Sequence, residues 1–241
     1  MTGIVVATGQ VSEDFFRDRS GGGCIEENRL FCPGWVIENA DRYLGPTLEH
    51  LLLVGSAVIV GFGLAFWLAV LAHRHRWLSS PFLAATGILY TIPSISFFFL
   101  LLPLTGRGML TAIIALTAFS LQIIFRNVAT GLRNVPDSVR TAAVGMGLTG
   151  RQILWRIEIP LALPEIIAGL RIATVSTVAL ATLAVFANGG GLGGEIIVGS
   201  NITFKTGIIV AGSIAIVMAI AFDGLLLVAG KILSPWKRAT P

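Results

Sequence analysis

The sequence predicts an all-α membrane protein with about five transmembrane helices. Only 12% of its 241 residues are charged and 54% are hydrophobic, whereas a soluble domain carries about 25% charged residues. Apolar runs near the ~20 residues that a helix needs to cross a bilayer recur along the chain. Because every backbone polar group in lipid needs a partner within the protein, we expect these runs to be helical.

The predicted spans form one transmembrane domain over residues 47–235, which lies between an N-terminal extension at 1–46 and a tail at 236–241. The fourth span is the least apolar, because it carries Glu165 and Arg171. We place the spans at residues 51–72, 82–104, 109–126, 161–187 and 207–230.

The basic residues set the orientation of these spans, since arginine and lysine favour cytoplasmic loops. The loops after the first and third spans and the C-terminal end are rich in Arg and Lys, whereas the opposite loops hold only Arg107 and Lys205 and the acid-rich extension. We therefore expect the N-terminus outside and the C-terminus in the cytoplasm. The net charge of +4 then belongs to cytoplasmic loops, and no nucleic-acid partner is expected.

The extension contains both cysteines, Cys24 and Cys32. An extracytoplasmic compartment permits disulfides, so we predict that the two cysteines are joined; two free thiols are the alternative. No metal site is expected, since zinc usually takes four ligands. Residues 33–46 are typical of a short amphipathic helix whose Trp35 and Tyr43, with Val36 and Ala40, lie at the membrane surface.

Two irregular segments interrupt the apolar pattern. Pro93 lies inside the second span and should kink it; the hydroxyls around it either repair the kink or line a polar path, which gives the candidate path residues Tyr90, Thr91, Pro93, Ser94 and Asn188. Residues 186–199 contain six glycines, which argues against a regular helix. This segment is either a plain exposed loop or an extracytoplasmic gate formed by Gly189, Gly190, Gly191, Leu192 and Gly193.

Two charges lie inside predicted spans, Arg171 and Asp223. At about 1.5 Å per residue both should lie in the inner half of the bilayer. Charged residues at that depth usually pair, so we predict an intramembrane salt bridge between them that serves structure or gating; a substrate site is the alternative.

The block at residues 134–160 is polar and rich in turns. We predict a first helix capped by Asn134 and stopped near Gly147, then a second helix that begins with a capping box at Thr149 and Gln152 and stops before Pro160. Met146, Leu148, Ile153 and Leu154 would be exposed at the turn. Such an apolar tip either enters a groove on another protein or packs on its own bundle.

The same block resembles the cytoplasmic loop of ABC importer permeases, whose pattern is EAAxxxG, nine residues, then IxLP. Here the chain reads TAAVGMG at 141–147, nine residues, and IEIP at 157–160. The spacing matches over 20 positions, although Thr141 replaces the usual Glu and Ile159 the usual Leu. With TIPS at 91–94, EIPLALP at 158–164, AGLR at 168–171 and GGGLGG at 189–194, residues 47–235 resemble the osmoprotectant permeases.

This resemblance implies the type I ABC importer permease fold in the bacterial cytoplasmic (inner) membrane. It implies import of glycine betaine, choline, carnitine or proline betaine, two ATPase subunits that bind ATP and Mg, a second permease that is identical or paralogous, and an extracytoplasmic binding protein. The residues it implicates in ATPase coupling are Thr141, Ala142, Ala143, Met146, Gly147, Leu148, Ile153, Ile157 and Pro160.

No catalytic or cofactor site is expected in this chain, since it has no GxxxxGK[ST] phosphate loop and no visible nucleophile–base pair. Two other functions remain open at this point. One is an ABC permease for another small polar solute such as methionine, a sulfonate or an amino acid. The other is a secondary transporter, which would need no ATPase.

Overall fold

A computed structural model describes Cys24 and residues 29–238. The described part is helical and contains no strand. Residues 1–23, 25–28 and 239–241 of the predicted extension and tail lie outside it. The α-helices are α1 Pro33–Glu38, α2 Leu44–Arg74, α3 Arg76–Thr91, α4 Ser94–Thr105, α5 Met109–Arg133, α6 Asp137–Gly145, α7 Gly150–Ile153, α8 Ile159–Ala181, α9 Leu192–Asn201 and α10 Lys205–Leu233. Short 3-10 segments occupy Ala40–Tyr43, Thr182–Ala187 and Pro235–Arg238, and a π-helical turn occupies Leu154–Glu158.

Four helical runs are long and apolar enough to cross a membrane, and the pair α3 and α4 supplies a fifth crossing if it is counted as one broken span. The predicted all-α membrane fold with about five transmembrane helices is therefore confirmed. The four runs are Ala40–Arg74, Met109–Arg133, Gly150–Ala187 and Lys205–Leu233.

The centre of the bundle is formed by α2, α5 and α8, which pack closely through glycines. A Cβ at Gly61 of α2 would overlap the Ser120 hydroxyl of α5, and a Cβ at Gly169 of α8 would lie 2.3 Å from the Asn127 Cβ. Lipid offers no hydrophobic driving force between helices, so close backbone approach at small residues supplies the packing.

The second span is broken at Pro93, not merely kinked as the sequence predicts. Helix α3 ends at Thr91, α4 begins at Ser94, and the two axes differ by 99°. Ile92 and Pro93 have extended backbones with ψ of 127° and 131°. The residue before a proline avoids helical backbone angles. Ile92 follows this preference, so the helix ends before Pro93 and a new one begins after it.

The predicted stop before Pro160 is wrong, because the second helix of the polar block runs on into the membrane. Residues Gly150–Ala187 form one helical run that passes through the π-helical turn Leu154–Glu158. A proline ring clashes with the carbonyl one turn earlier in an α-helix. The wider π turn ahead of Pro160 relieves this clash, so the chain continues without a break.

The N-terminal segment packs into the bundle, where we predicted an amphipathic helix at the membrane surface. Trp35 and Tyr43 are 2% and 4% exposed, and the Trp35 ring meets Phe204 edge-on at 4.8 Å. Cys24 and Cys32 are joined by a disulfide, and Arg42 donates to Glu195 of α9 at 2.7 Å. The segment is thereby tied to the outer ends of α9 and α10.

Candidate functional site

The turn between α6 and α7 presents an apolar tip on the cytoplasmic side. Helix α6 ends at Gly145, and Gly147 takes a φ of +78°, which favours glycine. The predicted capping box is present, since the Thr149 hydroxyl accepts from the Gln152 backbone N–H and the Gln152 side chain accepts from the Thr149 N–H. Val144 and Met146 are 63% and 70% exposed at this tip.

The structure divides the predicted coupling residues into two groups. Thr141, Ala142, Met146 and Gly147 are exposed, and Leu148 is half-buried. Ala143 is buried, while Ile157 and Pro160 are half-buried where the segment joins the bundle. Our expectation that Ile153 and Leu154 are exposed is wrong: they are 8% and 2% exposed, because the helix that carries them continues into the membrane and turns this face inward.

The cap predicted at Asn134 is also wrong. Asn134 lies at the C-terminal end of α5, and α6 begins at Asp137 after Pro136, with no side-chain cap. The Thr141 hydroxyl, which stands where the family pattern has Glu, donates to the Asp137 carbonyl at 2.9 Å. Its side chain therefore bonds back to the carbonyl one turn earlier in its own helix and extends no charge from the tip.

A buried ion cluster, which sequence reasoning missed, anchors this tip to the bundle. The Glu158 carboxylate is 7% exposed and accepts from Arg140 Nε at 2.6 Å and from His73 Nε2 at 3.0 Å. Arg140 also donates to Asp137 at 2.8 Å and to the Leu132 carbonyl at 2.8 Å. One carboxylate thus joins α2, α6 and the π-helical turn.

Electrostatics favour the charged form of Arg140. Burial works against the charge of Arg140, yet its hydrogen bonds to Glu158 and Asp137 hold the pKa of the guanidinium above its ordinary value. The sequence signal for this cluster was Glu158, an acidic residue in the otherwise apolar stretch IEIPLALP. Such a residue needs a partner when it is buried, and the sequence did not indicate that Arg140 lies close enough.

Four of the five candidate path residues, Tyr90, Thr91, Pro93 and Ser94, lie at the break between α3 and α4. Tyr90 is 48% exposed, and its ring meets Phe119 edge-on at 6.2 Å. The exposed Thr91 hydroxyl donates to the Ile88 carbonyl at 2.8 Å. Ser94 begins α4, so its end of that helix presents unpaired backbone N–H groups. Asn188 is exposed beyond α8, and no hydrogen bond or ring contact in the described chain joins it to this cluster.

The glycine-rich segment is irregular only in its first part. Gly190 and Gly191 take φ values of +81° and +85°, and Gly191 N–H donates to the Glu49 carboxylate at 2.8 Å. From Leu192 onward the chain is helical as α9, so our expectation of no regular helix over 186–199 is wrong there. A Cβ at Gly193 would overlap the Thr182 carbonyl, which shows that close packing outweighs the poor helix propensity of glycine.

Arg171 and Asp223 face each other across α8 and α10. The guanidinium donates Nε–H and Nη2–H to the two carboxylate oxygens at 2.8 and 2.7 Å. Such bidentate geometry is the strong form of this interaction. The pair joins the two helices part-way along their lengths, at the middle of α8 and well before the end of α10 at Leu233.

A family model described as "Binding-protein-dependent transport system inner membrane component" matches residues 61–239. The chain belongs to this family. Its members are transport components of the inner membrane, which confirms the predicted membrane location. Within the described residues, no group of three His, Cys, Asp or Glu side chains is arranged to hold a metal.

Two curated relatives are similar over most of this permease. The osmoprotectant import permease protein OsmW of Salmonella typhimurium is 38% identical over 210 residues, which covers 83% of this chain and 96% of the relative. The choline transport system permease protein OpuBB of Bacillus subtilis is 35% identical over 198 residues, or 82% and 91% of the two chains. The resemblance to osmoprotectant permeases is thereby confirmed.

Solved structures confirm the predicted permease fold. A chain of the inward-facing MetNI methionine ABC transporter superposes with a TM-score of 0.70 at 21% identity and covers 82% of this chain and 97% of its own length. A chain of an amino acid ABC transporter superposes with a TM-score of 0.69 at 17% identity, with coverage of 81% and 96%.

Proposed function

We propose that this permease forms the translocation path of an ATP-driven, binding-protein-dependent importer of osmoprotectants. The cargo class is a small compatible solute such as glycine betaine, choline, carnitine or proline betaine. The named activities of its 34–38% identical relatives, which include osmoprotectant, choline and carnitine transport, support this class. The energy comes from ATPase subunits that bind ATP and Mg, since this chain has no phosphate loop.

The apolar tip at Val144 and Met146 is the observation that carries the proposal. Exposed apolar side chains at the end of a short, rigid helical turn suit insertion into a groove of another protein. The ion pair between Arg140 and Glu158 holds the tip against the bundle, so that a displacement of the tip moves α8 with it. We assign ATPase docking to this tip, and alternating access to the resulting motion of the bundle.

The break between α3 and α4 has the chemistry that a quaternary ammonium solute needs. Broken helices in transporters direct backbone carbonyls and helix C-termini at cations, and helix N-termini at carboxylates. The half-exposed ring of Tyr90 lies where α3 ends and offers a face for cation–π contact. Ser94 lies at the positive end of α4, which suits the carboxylate of a betaine or carnitine.

The assembly needs partners besides the ATPases. We propose two ATPase subunits, a second permease that is this chain or a paralogue, and an extracytoplasmic binding protein that delivers the solute. The glycine-rich segment with Asn188 and the described residues that follow Cys32 lie on the side from which such a protein approaches. A loaded binding protein would favour the outward-open state through its differential affinity.

The test of the proposal combines purification with a charge placed at the tip. The tagged chain, purified in mild detergent from its native membrane, should bring down an ATPase that has a phosphate loop. Met146→Asp should lose most of that ATPase and most uptake of radiolabelled glycine betaine or choline, because a charge would enter an apolar groove. Ser138→Asp is the matched control, since Ser138 is exposed on the same segment away from the tip.

Two results would contradict the proposal. Purification of the chain alone, with uptake that survives depletion of ATP, would indicate a secondary transporter. Full ATPase retention by Met146→Asp would remove the docking role of the tip. The cargo is tested separately: Tyr90→Ala should impair uptake of choline more than Tyr90→Phe does, because phenylalanine keeps the aromatic face.

A further inference from the structure

We propose that the groove between α3 and α5 is a binding site for the phosphate headgroup of an anionic phospholipid of the inner leaflet. The groove consists of two adjoining clefts of about 820 and 350 Å³ that share Ser79, Ala129 and Arg133. It opens at the cytoplasmic end of the bundle. The groove includes neither Val144 and Met146 of the docking tip nor the break at Pro93, although the ion cluster that anchors the tip lines one wall of the larger cleft.

Arginines outnumber acids at the cytoplasmic end of the groove, where Asp137 and Glu158 also line the larger cleft. Arg76 and Arg133 line the larger cleft, and Arg126 lines the smaller one. All three side chains are exposed, and among the residues that the structure describes none of them forms an ion pair. Arg140 also lines the larger cleft, but its charge is already matched by Glu158 and Asp137.

The position of Arg126 along α5 indicates that it needs an anionic partner. Arg126 lies within α5, two turns before that helix ends at Arg133, so it lies about 10 Å from the helix end toward the membrane. A charge at that depth needs a partner or a path to the interface. Arg171, which also lies inside a membrane-crossing run, has a bidentate carboxylate partner, whereas the described residues offer none to Arg126.

The deeper part of the groove has apolar lining residues that an acyl chain can contact. Leu83 of α3 and Phe125 of α5 line the smaller cleft, which ends at Gln122. Gln122 and Arg133 are eleven residues apart on one helix, or about 16 Å along its axis. That length is close to half of the ~30 Å hydrocarbon core, so the groove spans one leaflet.

The polarity of the groove therefore follows that of a phospholipid in the inner leaflet. Guanidinium groups form paired hydrogen bonds with phosphate oxygens, and basic pockets between membrane helices on the cytoplasmic side are known to hold anionic headgroups. Trp77, which is 73% exposed next to Arg76, marks the level of the interface, where tryptophan is enriched. A soluble phosphate would use the same arginines but would leave the apolar part of the groove empty.

The first experiment measures lipid binding to the full-length chain, with the subunits that co-purify, by native mass spectrometry. After delipidation the protein is titrated with phosphatidylglycerol or with phosphatidylcholine. The expected result is a phosphatidylglycerol site at least about tenfold tighter than any phosphatidylcholine site. Equal binding of the two lipids would overturn the proposal, and this comparison depends on no variant.

The second experiment removes the three charges together, as Arg76→Gln, Arg126→Gln and Arg133→Gln in one chain. An arginine near an anionic surface contributes about a fivefold gain in affinity, so the variant should bind phosphatidylglycerol about a hundredfold more weakly. Arg74→Gln is the matched control, because Arg74 is exposed on the same side of the membrane and lines neither cleft. An unchanged affinity in the triple variant would overturn the assignment.

A competition experiment distinguishes the lipid from a free anion. Inorganic phosphate in large excess, at constant ionic strength, should leave phosphatidylglycerol bound, because phosphate lacks the acyl chain that fills the deeper cleft. Displacement by phosphate would replace the lipid site with a site for soluble phosphate. These binding readouts do not involve solute uptake, so they stand or fall apart from the proposed transport function.

Discussion

The geometry of the ion pair between Arg140 and Glu158 predicts how much stability the protein loses when the pair is broken. In Arg140→Met, the Glu158 carboxylate, which is 7% exposed, keeps only His73 as a partner. Breaking a buried ion pair in this way costs about 3–5 kcal/mol. Because the Arg140 side chain is 24% exposed, we take the lower end, a loss of about 3 kcal/mol in the free energy of unfolding.

The second single variant and the double variant complete a thermodynamic cycle. Glu158→Met leaves Arg140 its contacts with Asp137 and the Leu132 carbonyl, so we expect a smaller loss of about 2 kcal/mol. The double variant replaces the buried pair with two apolar side chains of similar size, which is often neutral. We therefore expect the double variant to be more stable than Arg140→Met alone.

Thermal unfolding of the purified chain in detergent measures these differences. A loss of about 3 kcal/mol corresponds to a fall in Tm of about 6–12 °C for a chain of this size. Arg151→Met is the control: Arg151 is exposed on the same segment and forms no ion pair in the described residues, so its Tm should change little. Strict additivity of the two single losses in the double variant would refute the reasoning, because independent sites add.

Three further predictions concern the outer and inner ends of the bundle. Gly193→Ala should lower the Tm through a clash of about 1–3 kcal/mol with the facing 3-10 segment, whereas Gly194→Ala, which meets nothing within 4 Å, should not; equal effects would contradict the close approach. Cys32→Ser should expose the extracytoplasmic segment to limited proteolysis, since a disulfide across 8 positions contributes about 2–3 kcal/mol; protection equal to that of the parent chain would show that packing alone holds it. Arg171→Asp should reduce the folded yield, and adding Asp223→Arg should restore it; a double variant no better than the single would argue against a direct pair.

The elements that were predicted correctly from the sequence depend on local features, each of which is contained within one segment of the chain. Apolar runs long enough to cross a bilayer are expected to be helical in lipid, so the fold class follows from composition and length. Arg171 and Asp223 could be matched because both depths follow from counting residues at a fixed rise. The capping box at Thr149 is likewise a local signature, written in four consecutive residues.

The elements that were missed depend on neighbours that are distant in sequence. Pro93 and Pro160 are the same residue type in similar apolar surroundings, yet one breaks its helix and the other does not. Whether a proline ends a membrane helix depends on how the freed backbone groups are satisfied by the surrounding structure. Trp35 was assigned to the membrane surface because an amphipathic pattern does not tell whether the apolar face meets lipid or protein.

The continuous helical run from Gly150 to Ala187 gives the spacing of the cytoplasmic motif a mechanical meaning. Inserting or deleting one residue between Gly147 and Pro160 would turn every later side chain by about 100° around the axis relative to the docking tip. Arg171 would then point away from Asp223 while the tip kept its place. The nine residues between Gly147 and Ile157 therefore fix the rotation of the docking tip relative to Arg171 about the helix axis. A change in the length of this interval should be less tolerated than most single substitutions.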